Sequence, residues 1–179
     1  MKRILPRVVP EPEALRRMGS ASRPAFGPAF SLLVWNVFKG KRRYWLRDLR
    51  RLAEPAELVV LQEAILHESS RDYFHACATH EWVMAQSYIS ELKQTVTGVK
   101  TGAVVTADDA HFYVSPHREP LLNTPKLILV TRYPIAERPE RLLALNVHAI
   151  NFATTARFGR QMAQRREGVE GHEGPVVLA

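Results

Sequence analysis

Cysteine is almost absent from this chain. Cys77 is the only one in 179 residues, so no intrachain disulfide can form and no zinc knuckle is encoded. That usage fits a reducing compartment. Long apolar runs are missing as well: the longest are of strand length, well short of the roughly 20 residues that a membrane-spanning helix needs. The opening stretch MKRILPRVVPEPEALRRMG has basic residues but no apolar segment of signal-peptide length, and Pro6 and Pro10 interrupt it. These absences lead to the expectation of a cytoplasmic protein without membrane insertion. No internal repeat and no low-complexity tract is evident. Hydrophobic residues at 46% and charged residues at 24% suit one ordinary globular domain.

Acidic residues are scarce only at the front. Residues 1–52 hold thirteen Lys/Arg and three Asp/Glu (+10), whereas residues 53–179 hold twelve and fifteen (−3). The excess positive charge could attract a polyanion, and it could equally be a solvated tail followed by a solvated helix face. Composition leaves both readings open.

Residues 1–29 carry Pro6, Pro10, Pro12, Pro24 and Pro28 and read as an irregular N-terminal arm, with the main domain over residues 30–179. Leu32–Val37 is an apolar run of strand length. Residues 43–53 place Trp45, Leu46, Leu49 and Leu52 on one helical face, opposite Arg43, Arg47, Arg50 and Arg51. Leu58–Leu61 is again fully apolar. Strand, amphipathic helix and strand in about thirty residues form a βαβ unit, which requires parallel pairing. A helix is expected from His67 to about Thr79. Strands are expected at Trp82–Tyr88, Gly102–Thr106, His111–Ser115, Leu127–Thr131 and Arg141–Val147, then a basic amphipathic helix over Ala153–Gly171 and a last apolar run at Val176–Ala179. The mixed order predicts an α/β sandwich with sheets packed together and helices outside.

Three of the apolar strands share one kind of ending. LLVWN turns polar at Asn36, LVVLQE at Glu63 and LLALNVH at His148. Ligand sites in open α/β sheets lie at the carboxyl ends of strands, and a carboxylate closing an apolar strand is costly unless it is paired or metal-bound. Seven basic residues follow Asn36 between Lys39 and Arg51. Trp45 lies on the apolar helix face and reads as core, while Tyr44 could stack on a base or pack. The other histidines show no metal-ligand spacing and read as surface or packing residues. Cys77 has no basic activator nearby in sequence and reads as an inert buried thiol. Thr97–Gly102 lacks the spacing and the ending of a phosphate loop and is set aside.

Leu33–Val37 and Leu58–Ala64 resemble the first two motifs of the endonuclease/exonuclease/phosphatase superfamily, and Asn146–Phe152 is similar to its next histidine-bearing strand. Segments Arg118–Leu122 and Gly174–Ala179 look like parts of a small, uncharacterised bacterial subgroup of it. The resemblance implies a DNase I-like α/β sandwich, two packed mixed sheets with helices outside. It implies a hydrolase of phosphate esters, nuclease-like, dependent on Mg²⁺ or Mn²⁺. By position, Glu63 would be the metal's carboxylate ligand. Asn36 would orient the metal or a phosphate oxygen, and His148 would contact the scissile phosphate. Beside that metal site the basic run, Lys39, Lys41 and Arg42 first, could hold substrate phosphate or be a solvated face. Members of the superfamily attack DNA, RNA, inositol phosphates and sphingomyelin, and the basic front segment tilts the expectation toward nucleic acid.

In that family the strand matching Val176–Ala179 runs into Gly-Asp-x-Asn, which this sequence does not contain. The expectation is therefore a domain lacking its C-terminal part, with little activity as it stands. The alternative is a non-catalytic member that binds phosphate-bearing partners through Lys39–Arg51. A truncated gene model is a third possibility.

Overall fold

The Pro-rich front segment, expected to be irregular, contributes to a sheet. It holds β1 (Arg7–Val8), α1 (Glu11–Ala14) and β2 (Leu15–Gly19). Both strands pair antiparallel with β5 (Glu81–Ser90), β2 over five residues from Leu15↔Ala85 to Gly19↔Glu81. The exposed Arg16 and Arg17 on β2 disguise it in the sequence, and such charges are usual on an edge strand. The computed structural model describes residues 6–90, 94–118, 124–148, 169 and 171–179.

The expected βαβ unit is present. β3 (Leu32–Asn36) lies parallel to β4 (Leu58–Leu66), and α2 (Trp45–Ala53) crosses between them. Leu49 and Ala53 are buried under α2, while Leu52, expected on the apolar face, is exposed. α3 (Glu68–His75) is shorter than expected and is capped by His67, whose side chain accepts from the Ser69 backbone N–H. β6 (Thr95–Ala103) sits between β4 and β5 and pairs antiparallel with both. The strand expected at Gly102–Thr106 is therefore displaced toward the N-terminus, and the Thr97–Gly102 stretch is strand. Its glycines have a packing cause: a Cβ at Gly98 would collide with the Ala85 carbonyl, and one at Gly102 with the Trp82 ring.

A second sheet runs in the order β10 (Val176–Leu178), β9 (Arg141–Val147), β8 (Pro125–Pro134), β7 (Asp109–Arg118). Its β9–β10 pair is parallel and the others are antiparallel. The first sheet has the order β1-β5-β6-β4-β3, so both sheets are mixed. They pack face to face through Leu58, Val60, Val83 and Val99 on one side and Leu127, Leu129, Leu142 and Ala144 on the other. The outer face of the first sheet buries Val59, Leu61, Trp82 and Met84 with Leu49 of α2 and Phe74 of α3. Each such fully buried aliphatic side chain contributes about 1.5–3 kcal/mol. The helix expected over Ala153–Gly171 lies outside the described residues apart from positions 169 and 171.

Candidate metal and phosphate site

Glu63 does not end its strand, as its sequence position suggested. β4 continues to Leu66, and Glu63 sits at a bulge inside it. Leu61 pairs with Lys100 but Ala64 pairs with Gly98, so Gln62 and Glu63 together oppose Val99 alone. Glu63 has φ 48°, the left-handed region that costs a non-glycine residue about 1–2 kcal/mol. Bulges of this kind re-aim a side chain. Something must hold the strain in place, and Asn146 of β9 supplies the tie. It is fully buried and reaches from the second sheet into the break in the ladder. Its Nδ2 donates to the carbonyls of Leu61 at 3.2 Å and Lys100 at 3.0 Å, and its Oδ1 accepts from Gln62 Nε2 at 3.2 Å. From the opposite face of the sheet, the buried Lys100 donates to Ile65 O at 3.1 Å, just beyond the bulge.

The second sheet brings two more groups. β8 and β9 are antiparallel, so the start of β8 lies beside the end of β9, and the His148 N–H donates to Leu127 O at 3.1 Å. Lys126, at 3% exposure, places Nζ 3.0 Å from His148 Nε2. Burial, then Lys126, then Lys39, push the His148 pKa down to about 3. The imidazole is thus neutral near pH 7, and its Nε2 accepts a hydrogen bond from the Lys126 ammonium. His148 Nε2 is 3.7 Å from Glu63 Oε1, and Lys39 Nζ is 4.0 Å from Glu63 Oε2. The site therefore spans both sheets.

Both distances to Glu63 exceed hydrogen-bond length. Among the described residues, no donor lies within bonding distance of this carboxylate, although Glu63 is only 9% exposed. With Lys39 only at the limit of ion-pair distance, the carboxylate oxygens leave room for a hydrated cation beside them. No cluster of three or more His, Cys, Asp or Glu occurs among the described residues, which does not suit a closed zinc cage. A single carboxylate does fit Mg²⁺, which keeps several waters and takes one or two carboxylates plus substrate phosphate.

The structure thus brings Glu63, His148 and Lys39 together, and Asn36 is one register position away, opposite Gln62. Asn36 Oδ1 accepts the Phe38 N–H at 2.9 Å. Lys41 is turned onto the Phe38 ring, 4.5 Å from its centroid, and Arg42 is exposed. Neither makes a contact with Glu63. Sequence reading missed Lys126 and Asn146. Lys126 opens a strand as many surface lysines do, and Asn146 lies within an apolar run. Their significance depends on which strands neighbour them.

No family model matches the chain. A UPF0294 protein of Erwinia tasmaniensis is 35% identical over 175 residues, covering 94% of this chain and 62% of that protein. A second, from Yersinia enterocolitica, is 33% identical over 83% of this chain and 55% of its own length. The chain thus spans a little over half the length of the curated relatives it matches. Among solved structures, TDP2 from C. elegans superimposes with a TM-score of 0.53 at 16% identity, over 82% of this chain and 45% of that one. An endonuclease/exonuclease/phosphatase family protein from Leptotrichia buccalis gives 0.54 at 10% identity, over 84% and 66%. No helix among the described residues is long and apolar enough to cross a membrane. At such identities the structural likeness speaks for the fold alone: two mixed sheets packed into the DNase I-like sandwich, on a chain similar in sequence to UPF0294 proteins.

Proposed function

We propose that this chain carries part of the site of a Mg²⁺- or Mn²⁺-dependent phosphodiesterase, nuclease-like in its chemistry. The observation behind this reading is the Glu63 carboxylate, nearly buried, held in a left-handed bulge and short of a hydrogen-bond donor. Its surroundings are His148 and two lysines, which suit an anion. Glu63 is the residue that would hold the metal, which when bound would polarise the phosphoryl oxygen and steady developing negative charge. Asn36 would serve the phosphate through its amide N–H₂, since its oxygen is engaged by Phe38. His148, being neutral, would act as a hydrogen-bonding group, while Lys39 and Lys126 would supply positive charge to the phosphoryl oxygens.

Mn²⁺ binding followed by magnetic resonance, together with turnover of a small phosphodiester, tests this. Glu63→Gln should abolish specific Mn²⁺ binding, and chelation should remove any turnover. Mn²⁺ binding that survives Glu63→Gln, or turnover indifferent to chelator, would refute it. Polyanion binding in the absence of any metal effect would instead favour the non-catalytic reading.

A further inference from the structure

After Asn36 and Val37 come three consecutive residues with positive φ: Phe38 (φ 50°), Lys39 (φ 54°) and Gly40 (φ 62°). Two of them are not glycine, so the loop holds strain. One consequence is that Phe38 stands out from the surface at 51% exposure, next to the lysine that faces Glu63. Lys41 Nζ lies 4.5 Å from its ring centroid. Farther along the same segment Tyr44 is 48% exposed, with the guanidinium carbons of Arg43 and Arg47 at 5.2 and 4.3 Å from its ring. Between Lys39 and Arg51 there are seven basic residues and one acidic residue, Asp48. α2 buries Leu49, and Arg47, Arg50 and Arg51 are exposed.

We infer that this segment is a ledge for single-stranded nucleic acid, with bases stacking on Phe38 and Tyr44 and the cations tracking the phosphates. Two exposed rings, each beside a cation and set along a basic track, match the chemistry of single-strand binding, where aromatic faces take bases and cations take the backbone. A duplex keeps its base faces stacked internally and would use only the cations. Two isolated rings are also too little apolar surface for a membrane. The inference rests on the phosphodiesterase reading only for the direction of the strand, whose phosphate would continue from Phe38 past Lys39 to Glu63.

Fluorescence anisotropy in EDTA tests the ledge without calling on the metal. The probes are labelled oligothymidylate of about ten nucleotides, within the site size usual for such grooves, an abasic sugar–phosphate strand of equal length, and a matching duplex. Phe38→Ala and Tyr44→Ala should each weaken oligothymidylate binding about 5- to 150-fold and leave the abasic strand unchanged, while Phe38→Trp retains binding. Both side chains are exposed, so unchanged circular dichroism and melting will show that the variants fold. Equal losses on the abasic strand, no loss at all, preference for the duplex, or no binding by the parent chain would each overturn the ledge. Base-dependent binding together with Mn²⁺ binding that survives Glu63→Gln would sink the phosphodiesterase reading alone. Turnover without base-dependent binding would sink the ledge alone.

Discussion

Replacing Asn146 with leucine tests whether the bulge is held from the opposite sheet. The substitution keeps the volume but removes every polar atom. The carbonyls of Leu61 and Lys100 and the Gln62 amide would each lose a partner in a buried setting. A buried polar group left unpaired costs about 1–3 kcal/mol. The carbonyls keep a second lone pair for other partners, so the sum is set at about 2–4 kcal/mol rather than three full penalties. For a chain of this size 1 kcal/mol shifts Tm by about 2–4 °C, so Asn146→Leu should lower Tm by about 4–16 °C. Asn146→Asp should be at least as damaging, because a carboxylate would face two carbonyl oxygens without donating to them. Differential scanning calorimetry of the three proteins, with Mn²⁺ affinity measured alongside, reads both stability and the aim of Glu63. A Tm shift of less than about 2 °C for Asn146→Leu would mean that the carbonyls are satisfied elsewhere and that the tie is not what holds the bulge.

Two further outcomes follow from geometry already described. Glu63→Gly should stabilise the metal-free protein by about 1 kcal/mol, because glycine adopts φ near 48° without strain, and it should also abolish metal binding. A loss of stability measured by chemical denaturation would refute this. Cys77 is half-buried, and its Sγ lies 3.5 Å from Thr79 Oγ1, which contacts His80 Nδ1 at 3.0 Å. Burial pulls the thiol upward, but hydrogen bonds from His80 and Thr79 outweigh it and bring the pKa down from 9.0 to about 6. This corrects the expectation of an inert thiol. Since a depressed thiol pKa means thiolate above it, iodoacetamide labelling should rise between pH 5 and 7 and level off. A rate still climbing through pH 8 to 9 would refute it.

The parts of the fold that sequence made legible are those governed by one segment's own periodicity. The β3–α2–β4 unit was readable because Trp45, Leu46, Leu49 and Leu52 recur at helical spacing between two apolar runs. Asn36 and His148 were readable as polar ends of such runs. The features that escaped depend on a second strand. LVVLQEAIL has the same appearance whether its ladder is regular or bulged, because the surplus residue shows only against β6. The expected strand began only at Gly102, and the reason for glycine at 98 and 102 lies in Ala85 and Trp82 on β5. β2 was hidden by the prolines around it and by its own arginines. Lys126 acquires meaning only because antiparallel pairing sets the start of β8 beside the end of β9.

The bulge also bears on how such a site can arise or disappear. Without Glu63, the residues Leu61, Gln62 and Ala64 would meet Lys100, Val99 and Gly98 one for one, and the ladder of β4 with β6 would be regular. The residue bearing the carboxylate is therefore surplus to the sheet. Deleting a single codon would erase the site and leave an intact strand behind, and inserting one would restore it. In this sandwich, the step between a regular strand and one that presents the Glu63 carboxylate at a break in the ladder is one amino acid in length.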